Sequence, residues 1–125
     1  MLIRLFYFFM ICSALLSITG CTSETSATQE MARTIMKEDQ SSDIFILESI
    51  LYKKVEIVNE EQFNSVNTAP YGSITSSYEK NKSFQSGMAS ILPKGTQIYR
   101  SIEQPEFVYS DEGGTYTLYK SVPEG

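Results

Sequence analysis

The chain has 125 residues, 42% of them hydrophobic and 20% charged, and its net charge is −5. That length suits one small domain, and the acidic balance argues against nucleic acid as a partner. Histidine and tryptophan are absent, and the only two cysteines, Cys12 and Cys21, lie near the N-terminus. The body of the protein therefore lacks the imidazole and thiol needed for histidine bases, cysteine nucleophiles and Cys or His metal sites. No metal site and no cofactor is expected.

The first segment is the most specific feature. Arg4 is the one charge before an apolar run from Leu5 through Ile18, a length that suits a signal peptide better than a membrane span. The run ends in Ile18-Thr19-Gly20-Cys21. This resembles bacterial lipoprotein precursors, whose lipobox places an aliphatic residue three before, and small residues just before, an obligatory cysteine. The resemblance implies cleavage between Gly20 and Cys21. It also implies a diacylglycerol on the Cys21 thiol and a mature protein held on the extracytoplasmic face of the cell membrane. Cys12 is then discarded with the signal peptide.

Residues 21–43 read as the lipidated cysteine followed by a flexible linker, rich in Ser, Thr, Glu and Gln and without Gly or Pro. A coil of that length reaches about 25 Å from its anchor. Met31, Ile35 and Met36 are spaced for a brief helical turn, but a spacer is the expected state.

Residues 44–125 read as a small β domain. Ile44-Phe45-Ile46-Leu47 and Ile50-Leu51-Tyr52 flank Glu48-Ser49, a pair that lacks the Gly or Asn of a good two-residue hairpin turn. Val55-Glu56-Ile57-Val58 alternates as a strand does. Asn59 ahead of Glu60, Glu61 and Gln62 is a helix cap, so one or two helical turns are expected there. Residues 71–78 have strand character, and 79–90 reads as a mobile loop. Pro93-Lys94-Gly95 predicts a turn leading into a strand over Thr96 to Ile102. The last two strands, 106–110 and 115–119, are separated by Asp111-Glu112-Gly113-Gly114. Pairing Ser110 with Thr115 puts Phe107, Tyr109, Tyr116 and Leu118 on one face, the expected core, and Val108, Thr117 and Tyr119 on the other.

The fold class expected from these elements is mainly β: a small antiparallel sheet, a meander or a partial barrel, with at most one short helix. At Leu92-Pro93-Lys94-Gly95-Thr96-Gln97-Ile98-Tyr99 the chain resembles a family of small, uncharacterised secreted and lipid-anchored proteins of Gram-positive bacteria. Those carry a Leu-Pro-x-Gly-Thr-x-Ile-Tyr segment late in the chain. The resemblance implies a β domain at a bacterial surface and brings no catalytic residues. Glu48-Ser49 departs from it, standing where Asn-Gly is expected.

Several motifs carry less than they suggest. Leu92 to Thr96 has Gly and Thr in the wrong order for a sortase signal. Arg100 sits on a strand like that of ADP-ribosyltransferases, but too little chain follows, so it reads as a solvated strand residue. Glu60 with Glu61, and Glu103 with Glu106, are the carboxylate pairs a small hydrolase would need. Tyr99 and Tyr119 are the candidate binding residues, since tyrosine is enriched where proteins and sugars are bound. The expected function is a non-catalytic, lipid-anchored envelope protein whose β domain binds a protein or peptide at the outer membrane surface. A wall-polysaccharide module using exposed tyrosines and a carboxylate-dependent hydrolase are the alternatives.

Overall fold

A computed structural model describes residues 27–80 and 82–123; the segment 1–20 expected as a signal peptide, and Cys21, lie outside them. In chain order the elements are α1 (Ala27–Glu38), β1 (Ile44–Leu47), β2 (Ile50–Val58), α2 (Glu60–Asn64), β3 (Thr68–Ser73), β4 (Ser76–Ser77), β5 (Met88–Ala89), β6 (Gln97–Ser101), β7 (Phe107–Glu112) and β8 (Thr115–Ser121). The fold is mainly β, as expected, with the eight strands forming one sheet in the order β3-β6-β7-β8-β2-β1-β5-β4. The sheet curls into a half-barrel.

One passage of chain runs along both ends of this sheet. β3 pairs with β6 and β4 with β5, and only two residues separate β3 from β4. At the junction the Ile74 amide donates to the Thr96 carbonyl at 3.0 Å, and the Thr75 amide donates to the Gly87 carbonyl at 2.9 Å. Residues 79–90, expected as a mobile loop, hold the short strand β5 and bury Phe84.

The four apolar residues of β1 are all buried because both sides of that strand are covered. Phe45 and Leu47 join Tyr52, Ile74, Leu92, Ile98, Val108 and Tyr119 inside the curl. Ile44 and Ile46 join Leu51, Phe84, Ala32 and Met36 in a second cluster, under α1.

Helix α1 corrects the expectation of a flexible linker over 21–43, at least across Ala27–Glu38, and with α2 it makes two helices rather than at most one. Its buried residues are Thr28, Ala32 and Met36, a stripe at intervals of four that faces the sheet. Two of the three are small or hydroxylated, so the stripe is weak by hydropathy. Tertiary packing, rather than propensity alone, stabilises such a helix.

The turn between β1 and β2 is a two-residue hairpin despite its residues. Leu47 lies opposite Ile50, and Glu48 and Ser49 both take positive φ, 48° and 65°. Left-handed backbone costs a residue with a Cβ roughly 1 to 2 kcal/mol. The Thr28 hydroxyl of α1 donates to the Ser49 carbonyl at 3.0 Å, tying the helix to the strained turn. Replacing Glu48-Ser49 with Asn-Gly is expected to stabilise the domain by about 1 to 2 kcal/mol in denaturant melts. An unchanged midpoint would contradict the strained turn.

At α2 the expected cap is present as a capping box. The Gln62 amide donates to Asn59 Oδ1 at 2.7 Å, and the Asn59 amide donates to Gln62 Oε1 at 3.0 Å.

The C-terminal hairpin corrects the sequence expectation twice. Glu112 faces Thr115 and Ser110 faces Thr117, so the loop is the two-residue Gly113-Gly114 turn with φ of 60° and 99°. This slip of two residues leaves the faces unchanged, because strand side chains alternate with period two. The buried face is nevertheless the other one: Val108 and Tyr119 are fully buried, with Ser110 and Thr117 beside them. Of the four expected core residues only Tyr109 is buried, while Phe107, Tyr116 and Leu118 are half-buried on the outer face. Both faces carry aromatic residues, so alternation could define them but not say which turns inward.

Candidate functional site

The candidate tyrosines fall on opposite faces of the sheet. Tyr119 is fully buried, edge-on to Phe45 with ring centroids 4.8 Å apart, and its hydroxyl donates to Asp43 Oδ1 at 2.8 Å. It belongs to the core, which corrects its expectation as a binding residue. Tyr99 is half-buried on the outer face. Phe63 of α2 lies over it at 5.7 Å, edge-on to Tyr109 at 5.5 Å and stacked on Tyr116 at 4.1 Å. This panel explains why a five-residue helix holds its place: one ring anchors it on three tyrosines. Cys21 and the expected cleavage point between Gly20 and Cys21 lie outside the described residues.

A second set of polar groups gathers around Tyr52 and Arg100. Tyr52, fully buried, donates its hydroxyl to that of Tyr71 at 3.1 Å, and the Arg100 guanidinium lies 4.6 Å from the centre of the Tyr71 ring. Arg100 Nε donates to the Pro105 carbonyl at 3.1 Å, so this arginine is half-buried and engaged rather than solvated. A cleft of about 360 Å³ beside it includes one carboxylate, Glu106. Glu103 is exposed on the connection before β7, and Glu60 and Glu61 are exposed in the first turn of α2, where they favour the helix dipole. Neither carboxylate pair lines that cleft.

Burial has electrostatic consequences at the two core tyrosines. It pushes both hydroxyls well above the ordinary tyrosine range; for Tyr119 the neighbouring Asp43 charge and the bond donated to it act the same way, and for Tyr52 the bond to Tyr71 does. Burial also raises the Asp43 carboxyl, partly offset by the bond from Tyr119. For the two tyrosines, a folded-state pKa above the unfolded value means stability that is fully present below about pH 10 and is lost as pH rises further. The domain should therefore unfold in alkali, with the share of tyrosinate absorbance due to Tyr52 and Tyr119 appearing together with loss of β-sheet ellipticity. Tyrosinate formed fully before any unfolding would contradict the burial of these two hydroxyls.

One backbone surface stands unused. β2 has nine residues and β1 four, and Ile44 is already opposite Lys53. The Lys54 amide still donates to the Asp43 carbonyl at 3.0 Å. From Val55 to Val58 the strand is bonded to β8 alone, with a bulge between Lys54 and Glu56. Among the described residues no strand pairs with its other edge. Val55 and Ile57 are 51% and 62% exposed there. The alternation of Val55-Glu56-Ile57-Val58 was legible as a strand, but the free edge depends on where β1 begins, which the sequence does not mark.

The chain matches no family model, no curated protein and no solved structure.

Proposed function

We propose that this is a non-catalytic envelope protein, held on the extracytoplasmic face of the cell membrane by lipid on Cys21, whose β domain binds a protein or peptide. The observation that carries this reading is the free edge of β2, a row of backbone donors and acceptors flanked by two exposed aliphatic side chains. An extended segment of a partner protein adds to such an edge by main-chain hydrogen bonds, and alternate side chains supply specificity. Antiparallel pairing of two copies centred on Glu56 sets Glu56 against Glu56, which disfavours that register of self-association. The lipobox supports the anchoring, and no cofactor is needed. Burial of Tyr119 and the cover of Phe63 over Tyr99 remove support from the polysaccharide alternative.

A photo-crosslinking residue at Ile57 in the full-length, membrane-resident protein tests this. We expect an adduct with a discrete envelope protein from position 57, none from the equally exposed Ile91, and loss of the adduct in Cys21→Ser. No adduct at 57, or the same adducts from both positions, would overturn the reading.

A further inference from the structure

An open groove of about 640 Å³ lies between α1 and the chain following β4. Tyr78 and Phe84 stack in it, ring centroids 4.7 Å apart and planes 20° from parallel, and Phe84 is packed in the same cluster as Ala32 and Met36. Arg33 and Lys37, four residues apart and so on one side of the helix, line it together with Lys80 and Lys82. Four of the chain's ten basic residues thus share one concavity, on a protein with 15 acidic residues. The acidic counterweights are modest: Glu30 is 3.9 Å from Arg33 and Glu79 is 2.7 Å from Lys82, and all four side chains are more than half exposed. Exposed ion pairs of this kind hold their partners weakly and exchange them readily.

We infer that this groove binds the phosphodiester headgroups of anionic phospholipids. The guanidinium of Arg33 offers a fork that matches phosphate oxygens, and the ammonium groups across from it supply point charges. The volume is that of a small-molecule site rather than of a single anion. Tyr78, half-buried beside the basic side chains, has the amphipathic ring favoured at a headgroup boundary. Position favours lipid as the source. Five residues lie between Cys21 and Ala27, six chain steps that span at most about 20 Å, and Arg33 and Lys37 follow about 9 and 15 Å along the helix. The acidic remainder of the domain is repelled by the same headgroups, which turns the basic side inward. The lipid source rests on the anchoring proposed above; the anion chemistry of the groove does not.

Lysine acetylation followed by mass spectrometry tests the inference on the full chain isolated from membranes. The chain is reconstituted with vesicles of phosphatidylcholine alone, or with phosphatidylglycerol as roughly a third of the lipid. Lys37, Lys80 and Lys82 should react about tenfold more slowly on the anionic vesicles, an effect removed by high salt. Lys94 and Lys120 should be unchanged, and Arg33→Ala should restore much of the groove reactivity with the fold intact. Equal rates on both vesicles, or slowing of all five lysines alike, would overturn the inference. So would slowing by a soluble glycerol phosphate polymer added to phosphatidylcholine vesicles without slowing by phosphatidylglycerol. If the chain stays only with anionic vesicles and the groove lysines are slowed there, the anchoring falls and the groove stands. If it stays with neither, both fall.

Discussion

Truncating Tyr119 to Ala is expected to cost about 3 to 5 kcal/mol of unfolding free energy, a large share of what a small domain possesses. The ring is fully buried against Phe45, and removing it also takes away the hydroxyl that satisfies Asp43 in a desolvated position. Leu118, the next residue along β8, points to the outer face and is only half-buried. Its truncation should cost distinctly less, on the order of 1 kcal/mol. Tyr119→Phe keeps the ring and isolates the hydrogen bond, with a loss of roughly 1 to 3 kcal/mol. Denaturant melts of the three variants separate the two faces of the hairpin. Equal losses at Tyr119 and Leu118 would contradict the inward orientation of Val108 and Tyr119.

The second large effect lies under α1. Ala32 is fully buried against Ile44, Ile46, Leu51 and Phe84, so Ala32→Asp places a carboxylate in an apolar position closed to solvent. An uncompensated buried charge costs on the order of 3 to 5 kcal/mol. The core inside the curl is made of other residues, so the expected result is undocking of the helix from a sheet that stays folded. Protease should then cut at Arg33 while the alkaline transition of Tyr52 and Tyr119 is retained. Loss of sheet and helix together would mean that the two clusters fold as one cooperative unit.

Much of the strand framework was legible because its signals are local. Alternation marked β2, β6, β7 and β8, Pro93-Lys94-Gly95 marked a turn, and Asn59 with Gln62 marked the cap of α2. What escaped depends on distant partners. The stripe Thr28, Ala32 and Met36 looks like a polar linker until Ile44, Ile46 and Phe84 are seen beneath it. The single passage over β3 and β4 serves both sheet edges only because the sheet curls. β5 is two residues long and exists because Ala89 pairs with Phe45. The turn at Glu48-Ser49 forms against local preference, since the register of β1 with β2 and the bond from Thr28 outweigh its strain. The candidate site shows the same limit: the strand at Val55 to Val58 can be read from its residues, but its free edge follows from the unequal lengths of β1 and β2. The basic groove joins residues more than forty positions apart, which no local window brings together.

The fold includes α1, which starts six residues beyond Cys21, rather than starting only at β1 after a long spacer. Amide hydrogen exchange on the full-length protein tests it directly. The amides of Met31 to Lys37 should exchange at least about a hundredfold more slowly than an unstructured peptide, approaching the protection of Gln97 to Ser101 in β6. Exchange over Met31 to Lys37 at the unstructured rate, with β6 protected, would contradict it.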